Sequence, residues 1–256
     1  MNNLITVSFR NDKILKNENL VSANEFSVKS ISANDRRICA QVDLKTTEEF
    51  DEFVNALSGY IIKKYEPKLL KKTIKDVYPE IPDFTVNEIV KTKKDDDTAE
   101  RKRVVGSILK DYFSKNDNGS IEGLVTFRLS EYKKMLYSLS EELVDEYYLT
   151  REYEDFLELL RYFISVQEIR PEKVYVCVNK YGMYGVLNEA REDITNRCAA
   201  EFLRGDEVRA ENFDDLLISI LITLAPKKII VQNSENIKNK QLFETIESVF
   251  EKVEYE

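Results

Sequence analysis

The chain has 256 residues, with 38 basic and 47 acidic side chains, a net charge of −9 and no histidine. Without imidazole, histidine-based triads, histidine acid-base chemistry and the common histidine-bearing zinc sites are all excluded. With 43% apolar and 33% charged residues the composition is globular and densely charged at the surface, and this length buries ample core without disulfides.

Cys39, Cys177 and Cys198 are odd in number, widely spaced and form no CxxC motif, so they are expected as small core residues in a reducing compartment. Arg10, Asp12, Lys13, Lys16 and Glu18 interrupt the first thirty residues, which is not the pattern of a signal or transit peptide. The expected location is cytoplasmic. Leu216 to Ala225 is the longest nearly unbroken apolar run, ten residues against the roughly 20 that span a bilayer, so no membrane span is expected.

In chain order, Leu4 to Phe9, Phe26 to Ile31 and Ile38 to Leu44 read as strands, the last two separated by Asn34-Asp35. Thr46 and Glu49 form a capping box before Phe50, Phe53, Val54, Leu57 and Ile61 at helical spacing, and that helix is expected to stop near Tyr65 because of Pro67. Thr85 with Glu88 reads as a second capping box, with Phe84 and Ile89 as a hydrophobic staple. Lys91 to Glu100 is too polar to bury a face. Val104, Val105, Ile108, Leu109 and Tyr112 restore the helical period up to an expected turn at Asn116 to Gly119.

Leu129, Tyr132, Leu136, Leu139 and Leu143, then Phe156, Leu159, Leu160 and Phe163, predict two long amphipathic helices, with Thr150 as N-cap of the second. After Pro171 the period becomes two: Val174, Val176 and Val178 alternate with Tyr175 and Cys177, and Asn179 to Gly182 turns the chain into Met183 to Leu187. Asn212 and Asp215 cap the apolar helix ending at Ala225. A strand at Lys228 to Val231, a helix carrying Leu242, Phe243, Ile246, Val249 and Phe250, and a strand at Val253 to Tyr255 complete a β-α-β-like tail. The expected fold is mixed α/β: N-terminal strands plus helices, a central long-helix unit, then a hairpin and a β-α-β-like layer. A soft boundary divides an N-terminal α/β region, 1–118, from a helical and α/β region, 119–256.

The seven glycines fit no GxGxxG loop, Walker A loop or GxSxG elbow. Ser114 to Val125 imitates a calcium loop but has Ser114 at position one and Val125 at position twelve, where the ligating carboxylates belong. Asp95-Asp96-Asp97 reads as a solvated acidic cluster. The carboxylates of residues 145–158, with Arg151 four before Asp155 and Glu158 three before Arg161, read as a salt-bridged helix face. No cofactor and no metal is expected.

Lys63, Lys64, Lys68, Lys71, Lys72 and Lys75 form the concentrated basic stretch of an acidic chain. Such a stripe can meet phosphates, but the overall charge opposes polyanions and the lysines can balance Glu48, Glu49, Asp51 and Glu52, so nucleic acid is the lesser reading.

The stretches IEGLVTFRLSEY (121–132), DEYYLTREYEDFLELLRYFISVQE (145–168) and DDLLISILITLAPKKIIV (214–231) resemble the YtxC family of sporulation proteins from endospore-forming bacteria, in the same order and separation. The resemblance implies a cytoplasmic sporulation protein and assigns no catalytic residue or cofactor. The family-like polar positions are Arg128, Glu152, Tyr153, Arg161, Gln167 and Glu168, expected either as a buried arginine–carboxylate network or as an interaction pocket. The reading that follows is action through contacts with another sporulation protein or with itself, without chemistry of its own. The alternatives are a small-molecule or nucleotide-binding enzyme using Glu152, Arg128 or Arg161, and nucleic acid binding through Lys63 to Lys75.

Overall fold

The computed structural model describes residues 4–10, 28–33, 37–94, 98–202 and 213–256, without the side chains of 28, 33 and 199–202. The expectations at Phe26, Asn34-Asp35, Asp95-Asp96-Asp97 and the Asn212 cap lie outside the described residues. The fold is mixed α and β, in two compact units, Met1–Tyr148 and Leu149–Glu256.

In the first unit, β1 (Leu4–Arg10), β2 (Val28–Ala33) and β3 (Arg37–Asp43) pair antiparallel, and β4 (Asn118–Ser120) joins β1 in parallel, giving the order β2-β3-β1-β4. The register opposes Ile5 to Val42 and Val7 to Ala40, so the period of two places all four on the core face. Helix α1 (Thr47–Val77) starts at the expected capping box, with the Thr46 hydroxyl accepting from the Glu49 N–H and the Glu49 carboxylate accepting from the Thr46 N–H.

That helix does not stop at Tyr65. It runs on through Pro67 for 31 residues, because Glu66, Leu70 and Ile74 continue the buried face and outweigh the hydrogen bond that proline removes. Helix α2 (Asp83–Thr92) also departs from expectation: its N-cap is Pro82 with no side-chain cap, Thr85 is buried beside Val86 and Ile89, and Phe84 points outward. Thr85 serves the core face, so the capping box and its staple do not form.

Helix α3 (Thr98–Phe113) buries Arg101, Val105, Leu109 and Phe113. The expected turn ending at Gly119 is partly strand: Asn118 to Ser120 pair with β1, and Gly119 lies buried against the Phe113 ring, where a side chain would collide. Ser120 then caps α4 (Ile121–Phe127) by accepting from the Gly123 N–H. Helix α5 (Ser130–Ser165) is one helix of 36 residues instead of two. It contains neither glycine nor proline, and the weak helix preference of Thr150 is too small to break it. Its first half contributes Tyr132, Leu136 and Leu143 to the first core.

In the second unit, β5 (Val174–Val178) and β6 (Tyr184–Leu187) form the expected hairpin, with Gly182 at φ 79° and Asn179 Oδ1 accepting from the Tyr181 and Met183 N–H groups. Helices α6 (Thr195–Phe202) and α7 (Phe213–Leu224) precede β7 (Ile229–Gln232), which pairs in parallel with β5. Asn239 caps α8 (Lys240–Val249), and β8 (Val253–Tyr255) pairs in parallel with β7, completing the order β6-β5-β7-β8. Val174, Val176, Val178, Ile229 and Val231 pack with Leu157, Leu160 and Ile164 of α5 and with α7 and α8. Only Cys198 of the three cysteines is buried; Cys39 and Cys177 are half-buried.

Candidate functional site

The six family-like polar residues stand at the surface. In the first unit, Arg128 follows α4 with its guanidinium 5.9 Å from the centre of the Tyr112 ring. In the second, Arg161 donates from Nε and Nη2 to the Ser248 carbonyl at 2.9 and 2.8 Å, and the Tyr153 hydroxyl shares a 3.0 Å hydrogen bond with that of Thr245. Glu152 is exposed on α5, and Gln167 and Glu168 lie just past its end. On α5, Arg151 forms an ion pair with Glu154 at 3.6 Å.

A buried arginine–carboxylate network does exist, elsewhere. Glu66 of α1 is 1% exposed. It accepts from Lys93 at 2.8 Å, from Arg101 Nε and Nη2 at 3.0 and 3.3 Å, and from the Tyr132 hydroxyl at 2.7 Å. Arg101 also donates to the Thr98 hydroxyl at 3.1 Å. Burial pushes the Glu66 carboxyl up, but the donors Lys93, Tyr132 and Arg101 outweigh it and hold the group below its ordinary value. Burial, then the neighbouring Glu66 carboxylate, pushes the Tyr132 phenol far up.

This cluster ties α1, α3 and α5 together, and all its charges are answered. Its sequence signal was phase: Glu66 shares the four-residue spacing of Leu70 and Ile74, and Arg101 that of Val105 and Leu109. Opposite charges in phase with two apolar stripes mark partners. Arg161 has the same spacing from Leu157 and Ile164, yet it stays exposed and bonds to the Ser248 carbonyl.

A second clasp forms at Glu122, which accepts from the Arg10 N–H at 2.8 Å, the Tyr65 hydroxyl at 2.9 Å and Arg37 at 3.3 Å. Burial raises its carboxyl, but the Arg10 N–H, its own N–H and the Tyr65 and Ser120 hydroxyls lower it further. Among the described residues no buried side-chain nitrogen or oxygen lacks a hydrogen-bond partner, and no three carboxylates or thiols gather closely enough to hold a metal ion.

On α1, Lys64, Lys68, Lys71, Lys72 and Lys75 share one helical face, while Lys63 lies off it. Lys64 donates to the Tyr60 hydroxyl at 3.0 Å, and Lys75 donates to the Ile81 carbonyl at 2.8 Å and pairs with Asp83 at 3.2 Å. Lys68, Lys71 and Lys72 have no ion-pair partner among the described residues. The charge balance expected with the first turn of α1 is not the one observed: Glu49 caps its own helix and Asp51 pairs with Lys110 at 2.6 Å. A cavity of about 670 Å³ lies beside that first turn, with an apolar floor of Ile5, Phe50 and Phe113, and with Lys45 and Lys115 offset by Glu48 and Asp117 at the rim.

A further exposed feature among the described residues is apolar. On α5, Leu149, Phe156, Leu159, Tyr162 and Phe163 are exposed, as is Val166 just past its end, although the same stretch already sends Leu157, Leu160 and Ile164 into the core. Among the described residues no helix is long and apolar enough to cross a membrane.

The model of the YtxC-like family matches residues 51–254, from the first turns of α1 to β8, well beyond the three segments that carried the resemblance. The uncharacterised protein YtxC of Bacillus subtilis (strain 168) is 26% identical over 132 residues, 51% of this chain and 45% of that protein, so the match spans less than half of the relative's length. No solved structure matches the chain. A family match over this much of the sequence decides membership, and the chain belongs to the YtxC-like family.

Proposed function

We propose that this protein serves sporulation from the cytoplasm by binding other protein surfaces, without chemistry of its own. Its likeness to sporulation proteins over residues 121–231 supports the process. The mode of action rests on one observation, the exposed apolar line of α5 from Leu149 to Val166, since a contiguous apolar patch on an otherwise charged surface marks a contact site. Glu152 interrupts that line with a polar side chain.

The test is a strain carrying Phe156→Ser with Leu159→Ser. The altered chain keeps its circular dichroism spectrum and cellular level, and the yield of heat-resistant spores falls. An unchanged yield refutes the reading, as does turnover of a metabolite at enzyme-like rates that is lost in Arg128→Ala or Arg161→Ala.

A second reading, nucleic acid binding along Lys63 to Lys75, is favoured by Lys68, Lys71 and Lys72, which have no ion-pair partner among the described residues. It requires affinity that drops steeply with salt, by a log–log slope of about −0.9 per phosphate neutralised. Binding indifferent to salt removes it.

A further inference from the structure

The C-terminal half of α5 carries two apolar lines where a helix serving one core carries one. Leu157, Leu160 and Ile164 form the inner line, packed into the core of the second unit. Leu149, Phe156, Leu159, Phe163 and Val166 form the outer line, about 100° round the helix at 3.6 residues per turn. They are 69%, 46%, 50%, 45% and 52% exposed. Glu154, Glu158 and Arg161 occupy the remaining face.

The outer line repeats every seven residues. Leu149, Phe156 and Phe163 take the a positions of a heptad, and Glu152, Leu159 and Val166 take the d positions. We propose that this line docks on the same line of a second copy of the chain, the two helices running antiparallel; this rests on the contact reading above and names its partner.

The register is self-complementary. When Phe156 of one copy meets Leu159 of the other, Leu149 meets Val166 and Phe163 meets Glu152, so every a position faces a d position across one twofold axis. Glu152 then faces Phe163 one layer in from the Leu149–Val166 end, and its carboxylate reaches water past the rim of that layer. Asp155 comes beside Tyr162 of the other copy, a carboxylate next to a hydroxyl donor. Aromatic side chains of 150–250 Å² exposed to this degree, Phe156, Phe163 and the flanking Tyr162, with the aliphatic members of the line, offer about 600 Å² per copy. The pair therefore buries on the order of 1,200 Å², which reaches the lower limit of stable protein interfaces.

Sedimentation equilibrium of the full chain over rising concentration tests the pairing, with twice the chain mass expected at the upper end. Phe156→Ser with Leu159→Ser is expected to hold the chain at its single mass with an unchanged circular dichroism spectrum. Orientation is read by disulfide formation: a chain carrying both Leu149→Cys and Val166→Cys cross-links into dimers under mild oxidation, while Leu149→Cys alone does not, because antiparallel packing holds the two copies of residue 149 about 25 Å apart.

A chain that stays at single mass at every concentration overturns the inference. So does a dimer that survives the double serine change, or efficient cross-linking by Leu149→Cys alone. If the serine variant fails to fold, cross-linking in the otherwise unaltered chain decides. A single-mass chain whose serine variant still lowers spore yield defeats self-pairing and leaves the contact reading standing with a different partner.

Discussion

Replacing Glu66 by glutamine probes the polar centre of the first unit with almost no change of shape. The side chains of Glu66 and Arg101 are 1% and 3% exposed, and that of Lys93 is 15% exposed, so Glu66→Gln strands two cations away from water and weakens the acceptor for Tyr132. Breaking a buried pair from one side costs about 3–5 kcal/mol, because the remaining charge is left unanswered. Arg101→Met is milder, about 1.5–3 kcal/mol, since Glu66 keeps Lys93 and Tyr132. The double variant removes both members of the most buried pair and lets Lys93 turn toward solvent, so its cost falls short of the sum by at least about 1 kcal/mol. Urea unfolding followed by circular dichroism, fitted with a transition for each unit, supplies the three values. A cost below about 1 kcal/mol for Glu66→Gln, or additivity within about 0.5 kcal/mol, refutes the account of a mutually dependent buried cluster.

The pH dependence follows from the same cluster. Glu66 and Glu122 are held below their unfolded value of 4.5, so the stability they supply is complete above that value and is lost as pH falls through the folded one. The urea midpoint is expected to drop between about pH 5 and 3, less steeply in Glu66→Gln, and equal slopes would count against Glu66 as a source. Pro67→Ala restores a hydrogen bond inside α1: relief of about 3 kcal/mol, less about 1 kcal/mol for a freer unfolded chain, leaves a net stabilisation near 2 kcal/mol. A lowered urea midpoint in that variant contradicts the reasoning. Gly119→Ala would place a methyl 2.8 Å from Phe113 Cζ and is expected to cost about 1–3 kcal/mol in thermal unfolding, whereas a neutral result would show that the ring can move aside.

Local pattern alone determined much of this protein. The capping box at Thr46, the turn at Gly182 and each single element of the β-α-β tail are written within about a dozen neighbouring residues, because period, cap and turn chemistry act over that range. Tertiary structure decided where burial overrode local preference. Pro67 stays inside a helix because Leu70 and Ile74 beyond it are buried, Thr85 faces the core instead of capping, and α5 passes Thr150 unbroken. The polar sites divide the same way. Arg128 and Arg161 stood out as family-like arginines yet lie at the surface, while Glu66, hidden in a run of lysines, meets Arg101 35 residues on and Tyr132 66 residues on. Which charge is desolvated depends on the helix that packs over it, and no window of neighbouring residues contains that helix.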